Sequence, residues 1–194
     1  RLNTPVVSVR NTSQGVEVVA NKRKELFDVV VLASHSDQSL ALLDDTETAL
    51  KAILQGIPYA DNEVVLHTDR SQMPKSLRAW ASWNYQLSAD RSVPASVTYN
   101  MNILQGLKIP HTFCVTLNQK DAIEPSKILR EFTYHHPIFS TESIKAQQKR
   151  DLICGKQHTY FAGAYWHNGF HEDGVRSVVE VAERFGCYLR KHDN

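Results

Sequence analysis

The chain has 194 residues, of which 42% are hydrophobic and 22% charged, with a net charge of +1. That length can bury one sizeable core or two small ones, and the near-neutral balance gives no electrostatic reason to expect nucleic acid or an anionic membrane as partner. No stretch approaches the ~20 apolar residues that cross a bilayer, and the cysteines, Cys114, Cys154 and Cys187, form no C-x-x-C pair. Buried, reduced thiols in a cytoplasmic protein are therefore expected.

In chain order, Thr4 to Arg10 and Val16 to Ala20 read as strands, with turn chemistry from Asn11 to Gly15 between them. Lys22-Arg23-Lys24 reads as a charged hairpin tip, simplest as a solvated turn. Asp28 to Ala33 is a continuous apolar run after its first residue, as expected of a strand buried on both faces. Ser34 to Leu43 and Thr46 to Gln55 read as helices, the second ended by Gly56.

The texture then changes. Glu63 to Asp69, Ala79 to Tyr85, Ser96 to Asn102, Thr112 to Asn118 and Ile128 to His135 are strand candidates rich in Val, Thr and aromatics, with Pro74, Pro94 and Pro110 in the gaps. Thr141 to Arg150 reads as a polar helix. The end returns to the first style. A short strand, Thr159 to Ala162, precedes a glycine-punctuated loop and a helix from Glu172 to Leu189. On that helix Val175, Val178, Val179, Ala182, Phe185 and Leu189 predict one apolar stripe. The organisation expected is one α/β unit, 1–57 with 152–194, into which a mostly antiparallel sheet, 58–151, is inserted.

The segment from Tyr160 to Val175 carries most of the chemistry. A strand ends at Gly163, and glycines then let backbone approach a ligand. The helix start beyond offers unpaired N–H groups and a partial positive charge, which favour electron-rich oxygen or nitrogen atoms. An ordinary strand–loop–helix with good capping would read the same way.

Phe161-Ala162-Gly163 followed by Gly169-Phe170-His171-Glu172-Asp173-Gly174-Val175 resembles the second flavin-contacting motif of the FAD-dependent amine oxidase family. The stretches Asn3 to Val9, Gly15 to Val18 and Phe27 to Ser34 resemble that family's mid-chain block. Val65 to Asp69, Ala79 to Tyr85 and Gly163 to Trp166 resemble blocks of a bacterial NAD/FAD-binding amine-oxidase-like subgroup. The resemblance implies an α/β fold, part of an FAD-binding Rossmann-like domain carrying the inserted sheet as substrate domain. It implies an oxidoreductase that moves hydride from an amine to flavin N5. Related domains associated with cyclopropane-fatty-acid synthases make a lipid-like substrate the other expectation.

The implied roles are specific. Amides near His171 and Glu172 would face the flavin N1/C2 carbonyl, where negative charge grows on reduction. Gly163 and Ala164 would lie along the ribityl–phosphate region, with Gly169, Phe170 and Val175 completing the motif, and Val6 would sit beside the adenine. Ala164 stands where the family has an acidic residue, so one hydrogen bond to the cofactor is lost. The family's G-x-G-x-x-G strand–turn–helix is not found in these 194 residues, and the chain starts at Arg1 rather than Met. The expectation is thus the C-terminal half of such an enzyme. Alone it would lack FAD, be inactive, and self-associate through the apolar surface its missing half would cover.

His67, on a strand of the inserted sheet, is the candidate catalytic residue, where some amine oxidases place a lysine; a hydrogen-bonded core histidine is the plainer alternative. Trp83, Tyr85, Tyr165 and Trp166 are candidates for an aromatic substrate pocket, or else core. No metal site is expected: His167 and His171 straddle Gly169, and the adjacent His135 and His136 point to opposite faces of a strand. A non-catalytic binding or assembly domain of the same fold is the alternative function.

Overall fold

The computed structural model describes residues 1–44, 47–87 and 96–189. Among these residues, ten strands and five α-helices follow one another: β1 (Val6–Thr12), β2 (Gly15–Ala20), β3 (Arg23–Phe27), β4 (Val30–Leu32), α1 (Ser36–Leu42), α2 (Thr48–Gln55), β5 (Tyr59–His67), β6 (Trp83–Gln86), β7 (Ser96–Asn100), α3 (Met101–Gln105), β8 (Cys114–Leu117), β9 (Ile128–Pro137), α4 (Thr141–Gln147), β10 (Thr159–Phe161) and α5 (His171–Glu183). The class is mixed α/β, with mostly antiparallel strands. The chain divides into two compact units, 1–59 with 137–194, and 60–136, so α4 belongs to the first. Thr46 and Pro94, part of the sequence expectations, lie outside the described residues.

In the first unit, β1, β2 and β3 form an antiparallel meander. Gly15 opens β2 because nothing else fits: at φ 137° an added Cβ would lie 2.3 Å from the Phe27 carbonyl oxygen. The β2–β3 turn is Asn21-Lys22 alone, both left-handed at φ 47° and 62°, as a two-residue type I′ hairpin requires. Arg23 and Lys24 are therefore strand residues, not turn, and Lys24 Nζ reaches Glu17 across the ladder at 3.2 Å.

β4 and β10 form a two-stranded parallel sheet, Val30 opposite Thr159 and Leu32 opposite Phe161. The run 28–33 was expected to be buried on both faces. Only one face is: Leu32 is 6% exposed and Val31 42%. Leu32 and Phe161 join Val9, Val16, Ile53, Leu54, Ile57, Ile153, Tyr165, Trp166 and Val181 in the core. Gly56 does end α2, but in right-handed geometry at φ −65°. Its missing Cβ instead makes room for α4, since a Cβ there would come within 2.9 Å of the Ala146 methyl.

Helix α5 departs most from its pattern. It stops at Glu183, and Gly186 takes φ 73° three residues on. Its buried positions are Ser177 and Val181, while Val175, Val178, Phe185 and Leu189 are exposed. The helix packs through Gly174 and Ser177 against the loop after β10 and through Val181 against the core. Cys187 is exposed, contrary to the expectation of three buried thiols; Cys114 and Cys154 are buried.

The second unit is a five-stranded sheet in the order β6-β7-β8-β5-β9. Its pairings β6–β7, β7–β8 and β5–β8 are antiparallel. Alternation separates its faces. Val64, Val97 and Leu117 share one face, and His67, Thr98 and Thr116 share the other. The strand expected over Ala79 to Tyr85 begins only at Trp83, after a 3₁₀ turn at Leu77–Ala79. Ser96 to Asn102 splits at Asn100, whose side chain accepts the Ile103 N–H and caps α3.

Candidate functional site

The site is built in the first unit, at the carboxyl ends of β4 and β10. In open parallel sheets that end is where the loops leave room for a ligand. The Ala162 N–H donates to the Leu32 carbonyl at 2.9 Å, and the chain leaves the sheet at Gly163. Gly163 is extended, and its lack of a side chain is steric: an added Cβ would lie 2.3 Å from the Tyr165 ring. Its N–H donates to Ser177 Oγ at 2.8 Å, and that hydroxyl donates to the Gly174 carbonyl at 2.7 Å. One buried serine thus ties the strand end to the first turns of α5.

The loop 164–170 is clamped from outside. Gln147 Nε2 donates to the carbonyls of Tyr165 and His167 at 2.8 and 2.6 Å. Arg150 Nη2 donates to the Phe161 and Ser177 carbonyls at 2.9 and 2.8 Å, and its other Nη pairs with Glu180. Burial by itself would raise the Glu180 carboxyl, but Arg150, His167 and Arg176 hold it below the usual carboxylate range. Gly169, at φ 88°, turns the chain into α5, and the Phe139 ring lies 3.1 Å from where its Cβ would be.

The opening of α5 lies at the surface. Phe170 is 70% exposed, and His171, Glu172 and Val175 are exposed too. The Asp173 carboxylate accepts the Phe170 N–H at 3.0 Å, and no side chain caps the first-turn amides beyond it among the described residues. Those amides and the helix dipole meet solvent without a partner, the arrangement that stabilises negative charge.

The residues Gly163, Ala164, Gly169, Phe170, His171, Glu172 and Val175 thus share one strand–loop–helix. Val6 stands elsewhere in the first unit. It is 39% exposed, in an open groove of about 340 Å³ lined also by Arg1, Thr4, Val18, Ala20, Glu25 and Phe27, with Arg1 and Glu25 paired.

The four aromatic candidates separate into two pairs. Tyr165 and Trp166 are core residues, 2% and 3% exposed, packed in the main apolar cluster. The Tyr165 ring fills the space under Gly163, and burial pushes its phenol well up. Trp83 and Tyr85 are exposed on β6, in edge contact at 5.5 Å. His67 is fully buried in the second unit. Its Nδ1 accepts the Asp69 N–H at 3.1 Å, so Nε2 carries the proton and faces Thr116 Oγ1 at 2.7 Å. Neither nitrogen is left to meet a substrate, and burial lowers the ring below its ordinary pKa. Among the described residues no group of three His, Cys, Asp or Glu side chains is placed to hold a metal, and no helix is long and apolar enough to cross a membrane.

Ser177, Arg150, Gln147 and Phe139 organise the site, yet the sequence did not single them out. Their roles depend on contacts 11 to 30 residues apart in the chain, which no periodicity marks.

No protein-family model and no curated protein matches the chain. Solved structures do share its fold. A CLA-producing fatty acid isomerase from P. acnes superposes with TM-score 0.65 and 14% identity over 95% of this chain and 48% of its own. Reduced UDP-galactopyranose mutase gives 0.62 and 10% identity over 96% and 47%, and putrescine oxidase bound to putrescine 0.57 and 12% over 94% and 48%. At such identities the likeness establishes the fold. The chain spans about half the length of each of these structures.

Proposed function

We propose that the chain carries part of the FAD site of an amine-oxidase-like flavin-dependent oxidoreductase. The reading rests on the resemblance of its motifs and on one observation above all: α5 opens at the carboxyl end of the parallel strand pair with solvent-facing, uncapped amides. Bound flavin would supply a two-electron acceptor. This chain would supply the amides of His171 and Glu172 against the electron-rich edge of the ring, where charge that grows on reduction is stabilised.

The fit is uneven along the cofactor. At the ring end, the exposed first-turn amides leave the approach open. At the ribityl–phosphate end, the Gly163 N–H is already taken by Ser177, and Ala164 offers no carboxylate. The groove at Val6 suits the flat, apolar face of an adenine. The remaining contacts, the pyrophosphate cradle first, would come from polypeptide outside these 194 residues. An amine or lipid-like small molecule is the substrate class proposed. This reading assigns His67 a structural part, since both its nitrogens are engaged.

A second reading, a non-catalytic domain of this fold, is favoured by that same histidine geometry, which presents no acid or base. An absorbance scan of protein purified from its whole reading frame decides. Visible flavin bands that weaken when Gly169 is replaced by Val support the enzyme reading, and a colourless protein overturns it.

A further inference from the structure

Parallel pairing consumes alternate residues of a strand. Here the ladder takes the N–H and C=O of Val30 and Leu32, with Val30 N–H donating to the His158 carbonyl and the Leu32 carbonyl accepting from Ala162, both at 2.9 Å. The N–H and C=O of Val31 therefore face away from β10, and no partner reaches them among the described residues. The far edge of β10 differs, because Thr159 bonds back to Gly155 and Lys156 and the Phe161 carbonyl accepts from Arg150. The small parallel sheet thus has one open edge, β4. Proteins normally blunt such an edge with charge, proline or a bulge. Residues 29–33 read Val-Val-Val-Leu-Ala and carry none of these, with Val29 36% and Val31 42% exposed.

We propose that this edge is a self-association site, in which β4 of one copy pairs antiparallel with β4 of a second copy across a two-fold axis through Val31. The register is self-complementary. Val31 lies opposite Val31 and exchanges both backbone hydrogen bonds, Val29 lies opposite Ala33, and Asp28 lies opposite Ser34. No like charges meet, and the Val31 N–H and C=O both find partners. The proposal stands independently of the flavin reading, since it uses no cofactor residue.

Charge-swap pairing tests it. In sedimentation velocity the unaltered chain forms a dimer whose population rises with concentration. Val31→Lys and Val31→Glu each place two like charges directly opposite and weaken that dimer at least ~10-fold, whereas an equimolar mixture of the two restores it. A chain that stays monomeric, variants that dimerise like the unaltered chain, or a mixture that stays monomeric would each overturn the proposal. If a variant loses its circular dichroism signature, amide exchange of the unaltered chain decides instead. Protection of the Val31 amide that grows with concentration supports β4 pairing, and concentration-independent exchange rejects it.

Discussion

Ser177 Oγ accepts the N–H of Gly163 at 2.8 Å, across 14 residues of chain, and so fixes where the last strand hands over to the last helix. Ser177 is fully buried, and its replacement by Ala leaves that amide without its acceptor. We expect Ser177→Ala to cost about 1–3 kcal/mol, read as a lower thermal midpoint. If flavin is bound, affinity should fall as well, because the α5 amides lose their anchor to the strand.

Gly163→Ala should destabilise through sterics alone. The added methyl would lie 2.3 Å from the Tyr165 ring, which cannot yield without disturbing the core beneath. A loss of about 1–3 kcal/mol is expected, measured by denaturant unfolding. Gly106→Ala is the contrast: no atom lies within 4 Å of its added Cβ, so only its positive φ of 65° opposes the change.

Arg150→Met removes the donor to two buried carbonyls and the cation beside Glu180. Glu180 is partly exposed, so water softens its loss, but the carbonyls of Phe161 and Ser177 stay buried and short of a donor. A cost of at least ~2 kcal/mol is expected. Amide exchange should quicken at β10 and α5 and stay unchanged in 60–136.

Acid should loosen the second unit. Burial of Asp69 alone would raise its carboxyl, but N–H donors from Glu124 and Ser71, with Lys127 nearby, bring it down to about 2. A depressed carboxylate stabilises the fold above its ordinary pKa near 3.8, and that contribution, about 2 kcal/mol, disappears as pH falls toward 2. His67 acts in the same direction earlier: its ring is held neutral, so stability begins to fall as pH drops below its ordinary 6.5. In a Trp166→Phe background, tryptophan fluorescence reports on Trp80 and Trp83 in this unit. Adding Asp69→Asn should flatten the loss of stability between about pH 4 and 2. An unchanged acid limb would show that Asp69 does not set it.

Much of the element order was legible in the sequence, because strands with alternating or continuous apolar residues and turns with glycine, proline and asparagine are local signals. The β1–β2 turn, α1, β8 and β10 all fall within ranges that local pattern predicts. The strand–loop–helix motif was legible for the same reason, since its glycines are consecutive statements about backbone. What local pattern misjudged was facing. Val175 and Val178 look like a core stripe but lie exposed, because α5 turns Ser177 and Val181 inward.

The sequence by itself determined that two kinds of β-structure alternate along the chain, and that the stretch after Phe161 must bend where only glycine fits. The tertiary structure alone decided that Tyr165 and Trp166 fill a core instead of lining a pocket, that His67 spends both nitrogens on neighbours, and that Val31 presents an unpaired edge. The physical reason is one of range. Backbone preference and periodicity act over a few residues, whereas burial, hydrogen-bond satisfaction and sheet edges depend on which distant segments arrive beside them.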